Sequence, residues 1–172
     1  MGGQIVVQSV YGKGSKFTIA IDQRIVENPT IEMTPTKMET VTLLDLSNKK
    51  ILIVDDNKIN LKVATRLLKD YNCQIETAES GFECIEKIKA GNHYDLVLMD
   101  DMMPKMSGVE TFHHLQEIPG YSTPTIALTA NAISGMKEKY LSEGFNDYLA
   151  KPIDKTELYR VLVKFLQQDE IL

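Results

Sequence analysis

From residue 49 onward, apolar positions along the chain switch between two periods. Short, almost continuous apolar runs alternate with longer stretches in which apolar residues return every third or fourth position. "KKILIVDD" (49–56) reads as a strand, and "NKINLKVATRLLKDY" follows with helical spacing, Ile59, Val63 and Leu67 recurring with Ala64, Leu68 and Tyr71 beside them. "CQIETAE" (73–79) is the second strand. "SGFECIEKIKAG" is the second helix, with Ser80 as N-cap and Gly91 as its end. "DLVLMD" (95–100) and "SGVETFHHLQEI" form the third pair, and "TPTIALTA" (123–130) and "ISGMKEKYLSEG" the fourth. "DYLAK" (147–151) is a brief fifth strand. The last helix, "DKTELYRVLVKFLQQ", lines up Leu158, Val161, Leu162, Phe165 and Leu166 on one face. Five strands alternating with five helices predict a parallel sheet covered on both faces.

The first 48 residues differ. Residues 1–23 alternate apolar and polar positions on either side of "YGKGS", which predicts a β-hairpin. A lone hairpin is marginal in water, so this one is either docked or part of a larger sheet. Residues 24–48 are rich in Thr, Glu and Pro without sustained period, as a linker is. The end of this stretch, "VTLLDLS", is apolar enough to lie against the domain that begins at residue 49.

Composition narrows the field. The chain has a net charge of -5 and no Lys/Arg-rich run, which argues against a nucleic-acid partner. No apolar run approaches the roughly 18 residues of a membrane span, and the N-terminus lacks the features of a signal peptide. Two cysteines, Cys73 and Cys84, are too few for a disulfide framework and fit a reducing, cytoplasmic setting. His113 and His114 are adjacent on a helix and cannot share a face as a metal pair would.

In a doubly wound sheet, reactive groups gather beyond the carboxyl ends of the strands. The residues there are Asp55 and Asp56 after the first strand, Asp100 and Asp101 at the third, Thr129 at the fourth and Lys151 at the fifth. Clustered carboxylates repel by about 1–4 kcal/mol per pair at contact distance, and a hard divalent cation with oxygen ligands, Mg²⁺, relieves them. A carboxylate facing Mg²⁺, an ammonium and a hydroxyl is set up to accept a phosphoryl group.

These residues carry a resemblance. "ILIVDDN", "LVLMDDMMPKMSG", "IALTA" and "DYLAKPI" resemble the response-regulator receiver domain of two-component signalling over residues 49–168. The resemblance implies an α/β, flavodoxin-like (βα)5 doubly wound sheet. It implies Asp100 as phospho-acceptor, and Asp55, Asp56, Asp100 and the backbone carbonyl of Met102 as Mg²⁺ ligands. Lys151 would grip the phosphoryl oxygens, Thr129 would hydrogen-bond them, and Tyr148 would follow Thr129 as the aromatic partner of the switch. Pro152 is commonly cis in the family. Met102 and Asn131 occupy positions that tune dephosphorylation in relatives, and strand alternation points Asp101 away from the acceptor's site.

"VDDNKINLKVA" (54–64) resembles receivers attached to hybrid sensor histidine kinases, with Asn57 and Asn60 on the face that meets phosphotransfer helices; Asn57 also suits a helix N-cap. The N-terminal hairpin resembles the last hairpin of a histidine-kinase ATP-binding domain. The nucleotide motifs of that family are absent, so the fragment is not itself expected to bind ATP or act as a kinase. The implied whole is the C-terminal part of a hybrid histidine kinase, catalysing its own aspartyl phosphorylation and dephosphorylation. Its implied partners are a phosphohistidine donor and a histidine-containing phosphotransfer protein. The rival reading is a pseudo-receiver that docks on a partner without phosphotransfer.

Overall fold

The computed structural model describes residues 3–12, 14–21, 44–130 and 136–167, and these form two compact units. In the first, β1 (Gly3–Val10) pairs antiparallel with β2 (Gly14–Ile21), with Ile5 opposite Ile19 and Val7 opposite Phe17. Those four side chains share one face of the ribbon, and all are exposed. The hairpin thus forms as its alternation predicts, with an apolar face that nothing within it buries.

The second unit is a five-stranded parallel sheet flanked by helices. Its elements in chain order are β3 (Lys50–Val54), α1 (Lys58–Leu68), β4 (Gln74–Ala78), α2 (Gly81–Lys89), β5 (Leu96–Asp100), α3 (Gly108–Gln116), β6 (Thr125–Thr129), α4 (Met136–Ser142), β7 (Asp147–Ala150) and α5 (Lys155–Leu166). The strand order is β4-β3-β5-β6-β7, so the chain reverses direction across the sheet between β3 and β5. That is the doubly wound order expected. Every residue of β5 and β6 is buried, which explains why these strands read as apolar runs rather than alternations.

Alternate residues of each strand feed two cores. Ile51, Ile53, Leu98, Ile126 and Leu128 pack with α1 and α5, through Leu61, Leu68, Val161 and Leu162 among others. Leu52, Val54, Val97, Met99 and Ala127 pack on the other face with Cys84, Phe112, Leu115, Tyr140 and Phe145 of α2, α3, α4 and the turn after it. Leu44 and Leu46 belong to the first core, so the end of the linker-like stretch does lie against this sheet.

Helix ends follow their local chemistry. Asn57 caps α1 by accepting from the Ile59 N–H at 2.9 Å, and Ser80 caps α2 by accepting from Glu83. Ser107 and Glu110 form a reciprocal capping box on α3. Gly91, past the end of α2, has φ +87°, as the stop signal requires. α4 is described only from Met136; the predicted first turn, with Asn131 before it, lies outside the described residues, as do the linker up to residue 43 and residue 168.

The helical spacing of α1 is realised, and its apolar positions divide: Ile59 and Val63 are 69% and 49% exposed, while Leu61, Ala64 and Leu68 are buried. Helix α1 carries two apolar stripes, and the sheet takes the one containing Leu61. None of the described helices is long and apolar enough to cross a membrane.

A buried carboxylate anchors α5 to the sheet. Asp147, at the start of β7, accepts from Arg160 Nη1 at 2.9 Å and Lys164 Nζ at 3.0 Å. Burial raises its pKa, but these two cations and the Tyr148 N–H outweigh burial and hold it below the usual carboxylate value. A depressed native pKa stabilises the fold above the unfolded pKa of about 3.9, and the gain disappears as pH falls below that through the native value. Asp147→Asn is expected to cost about 1–3 kcal/mol in denaturant unfolding at neutral pH, the loss shrinking toward zero at low pH.

At the other end of the sheet, Gly108 opens α3 directly beneath the end of β5. A Cβ there would stand 2.8 Å from Asp101 Cα and 2.9 Å from the Asp100 carbonyl carbon, both backbone atoms that cannot swing aside. Gly108→Ala is expected to destabilise the unit by about 1–3 kcal/mol, measured by urea unfolding, through displacement of the β5 terminus.

Candidate functional site

Parallel register brings the polar strand ends together. Val54 is paired with Met99, so Asp55 and Asp100 follow side by side. Thr129 is paired with Ala150, which places Lys151 just beyond β6 and β7. Lys151 Nζ reaches Asp55 Oδ2 at 2.6 Å and Asp100 Oδ1 at 2.8 Å. Asp55 and Asp100 are only 1% and 3% exposed, whereas Asp56 faces solvent. Carboxylate oxygens of Asp55, Asp56 and Asp100 lie within 4.8 Å of one another. The Lys151–Pro152 bond is cis, as the resemblance implied.

Each buried carboxylate is held by several donors. Asp55 Oδ1 accepts from the Asn57 N–H at 2.9 Å, and the Asn60 amide donates to both its oxygens at 3.1 and 3.2 Å. Asp100 Oδ1 also accepts from the Met102 N–H at 3.3 Å. Burial raises the Asp100 pKa and the neighbouring Asp55 charge adds to the effect, against the lowering by Lys151. Burial alone would lower the Lys151 pKa, but its bonds to Asp100 and Asp55 outweigh that and raise it.

One ammonium among three carboxylates leaves the cluster with two negative charges uncompensated. The remaining donors are all oxygens, and one of the three acids opens to water. A small hard divalent cation fits that donor set, and a soft metal does not.

The other residues singled out from the sequence fall into place unevenly. Thr129 is buried at the end of β6. Tyr148 is half-buried against the core on the α2–α4 side. Met102 is exposed, with its backbone N–H turned to Asp100. Asn57, through its N–H, and Asn60, through its side-chain amide, donate to Asp55 beside the cluster, a task that their reading as partner-facing residues did not include. His113 and His114 lie on the exposed side of α3, next to Glu143 and Glu117.

Two further features escaped the sequence reading. The Asp101 carboxylate does point away from the cluster, as alternation requires, but it accepts a 2.8 Å hydrogen bond from the buried Tyr140 hydroxyl on α4. Ile59 and Val63 stand exposed on α1, and Val63 lines a cleft of about 160 Å³ that also reaches Asp55, Lys151 and Pro152. Apolar residues exposed off the core stripe are the signal that was available for this surface.

Comparison with known proteins agrees with this geometry. The family described as "Response regulator receiver domain" matches residues 51–163. The signal transduction histidine-protein kinase BarA of Escherichia coli K12 is 40% identical over 116 residues, covering 67% of this chain and 12% of BarA. The autoinducer 2 sensor kinase/phosphatase LuxQ of Vibrio vulnificus YJ016 is 35% identical over 165 residues, covering 95% of this chain and 19% of LuxQ. The chain therefore spans less than a fifth of the length of either of these relatives. Among solved structures, the receiver domain of the sensor histidine kinase PA1611 from Pseudomonas aeruginosa superposes with a TM-score of 0.62 at 33% identity, covering 69% of this chain and 98% of that one. That structure is described as holding a magnesium ion in its active-site cleft. With its sheet order, its strand-end acids and lysine, and this match, the chain belongs to the response regulator receiver domain family.

Proposed function

We propose that residues 49–168 accept a phosphoryl group from a phosphohistidine onto Asp100 and relay or signal with it. The observation that carries this reading is the Asp100 carboxylate, buried yet within 2.8 Å of Lys151 and in reach of Asp55 and Asp56. Asp55, Asp56, Asp100 and the Met102 carbonyl would hold Mg²⁺. Bound there, the ion neutralises charge on the phosphoryl oxygens.

The chain's own groups do the rest. An Asp100 oxygen attacks phosphorus in line; the O–P bond forms as the donor's N–P bond breaks, and the imidazole leaves with that bond's electron pair. Lys151 balances the charge that accumulates on the transferred group. Asn60 and the Asn57 N–H keep Asp55 oriented. The Thr129 hydroxyl hydrogen-bonds the phosphoryl group once it arrives, and Tyr148 follows into the space that Thr129 vacates.

The donor and acceptor proteins are proposed to be a histidine kinase and a histidine-containing phosphotransfer protein. Exposed Ile59 and Val63, beside the cleft that leads to Asp55 and Lys151, support docking of an amphipathic helix at this edge, near Asn57 and Asn60. The hairpin with its bare apolar face supports the reading of residues 1–23 as the end of a kinase ATP-binding domain, joined by the linker 24–48 to the receiver. On that reading the whole is the C-terminal part of a hybrid histidine kinase acting at the cytoplasmic side.

Incubating the chain with Mg²⁺ and a small-molecule phosphodonor is expected to add one phosphoryl mass, seen by intact-protein mass spectrometry. Asp100→Asn is expected to add none. An unmodified parent chain, or undiminished labelling of the variant, contradicts the assignment.

A further inference from the structure

The turn that follows Asp100 is held through the residue next to it, Asp101. The Asp101 N–H donates to the Leu128 carbonyl at 3.2 Å, which extends the β5–β6 pairing one step beyond Asp100. The Asp101 carbonyl accepts from the Met103 N–H at 3.2 Å and from the Gly108 N–H at 3.0 Å, so both its lone pairs are used. The Asp101 carboxylate accepts from the Tyr140 hydroxyl of α4 at 2.8 Å. Amide, carbonyl and side chain of this one residue are thus tied to β6, α3 and α4.

Met102 stands at the apex of the three-residue turn that the Met103–Asp101 bond closes. Its N–H donates to Asp100 Oδ1 at 3.3 Å. A trans peptide carries its C=O opposite its N–H, so the Met103 N–H that points back to Asp101 aims the Met102 carbonyl away from Asp101. The Met102 side chain is 74% exposed and cannot steady the turn. Among the described residues, Tyr140 supplies the one side-chain hydrogen bond that ties residues 101 and 102 to another element. Tyr140 itself is a fixed post. It is 1% exposed, its ring stands edge-on to Phe145 at 5.7 Å, and Phe145 lies against Phe112 at 4.4 Å.

We propose that Tyr140 and Asp101 are a positioning pair for the cation site: the Tyr140 hydroxyl pins Asp101, and Asp101 holds the two Met102 peptides in place. Its N–H then stays on Asp100 and its carbonyl stays available to Mg²⁺. The inference rests on the Mg²⁺ ligand set proposed above, the Met102 carbonyl included. Strand alternation turns the Asp101 side chain away from the cluster, so the carboxylate acts through the backbone on either side of it rather than as a ligand. A backbone ligand binds well only when its peptide is already oriented, and supporting hydrogen bonds of this kind are what orient it.

The test is calorimetric titration of the full chain with Mg²⁺. Tyr140→Phe changes no charge, and it is expected to bind Mg²⁺ about threefold to tenfold more weakly than the parent chain, the range that one lost hydrogen bond supports. In an Asp101→Ala background the same substitution is expected to change nothing, because the group being pinned is gone. Unchanged or tighter binding by Tyr140→Phe, or an equal loss in both backgrounds, overturns the proposal. Should Tyr140→Phe not fold, the comparison of Asp101→Asn with Asp101→Ala decides. Both lose the same charge, and only Asn keeps an oxygen for the Tyr140 hydroxyl. Asp101→Asn is expected to bind Mg²⁺ about threefold to tenfold more tightly than Asp101→Ala, and equal affinities overturn the proposal. A parent chain with no saturable Mg²⁺ binding overturns the cation site itself and this inference with it; a parent chain that binds beside an unaffected Tyr140→Phe overturns the inference alone.

Discussion

The second unit is organised around one ammonium group lodged between two buried carboxylates. Asp55 and Asp100 sit at the ends of neighbouring central strands, where apolar cores on both faces exclude water. Two such anions side by side are costly, and Lys151 contacts both. Its single charge is insufficient, since Asp56 adds a third carboxylate within 4.8 Å. The site is therefore built with a deficit of positive charge. That deficit, rather than any one residue, makes the strand edge receptive to a divalent cation.

The rest of the unit keeps those three groups in place. The register of β3 with β5 fixes the distance between the acids, and β7 delivers the lysine from the far side of β6. Asp147 ties β7 to α5 through Arg160 and Lys164, four residues before Lys151 in the chain. On the opposite strand, the α1 N-terminus doubles as a cradle. Asn57 caps the helix with its side chain while its N–H serves Asp55, and Asn60 adds two further bonds. Local helix chemistry and the orientation of a site carboxylate are here the same set of contacts.

Much of this was legible in the sequence, for identifiable physical reasons. Strands buried on both faces must be apolar runs, so "ILIV", "LVLM" and "IALT" announced themselves, and the doubly wound rule pointed to the polar residue ending each one. What escaped depended on choices between equivalent patterns or on distant pairs. Ile59 and Val63 share the helical spacing of Ala64 and Leu68, and only docking on the sheet decides that the first two stay exposed while Leu61, Ala64 and Leu68 are buried and Leu67 packs partly against the core. Asp101 and Tyr140 are 39 residues apart, with nothing local to announce their hydrogen bond. The bonds from Asn60 to Asp55 escaped because they cross a turn that periodicity does not describe.

The account's central claim is that the three acids and Lys151 form an under-neutralised site that a divalent cation completes. Calorimetric titration of the full chain with Mg²⁺ tests it most directly. The account predicts a single saturable site in the parent chain and an affinity at least about tenfold lower in Asp55→Asn, with the fold retained. No saturable binding by the parent chain, or equal affinity in the two proteins, would contradict it.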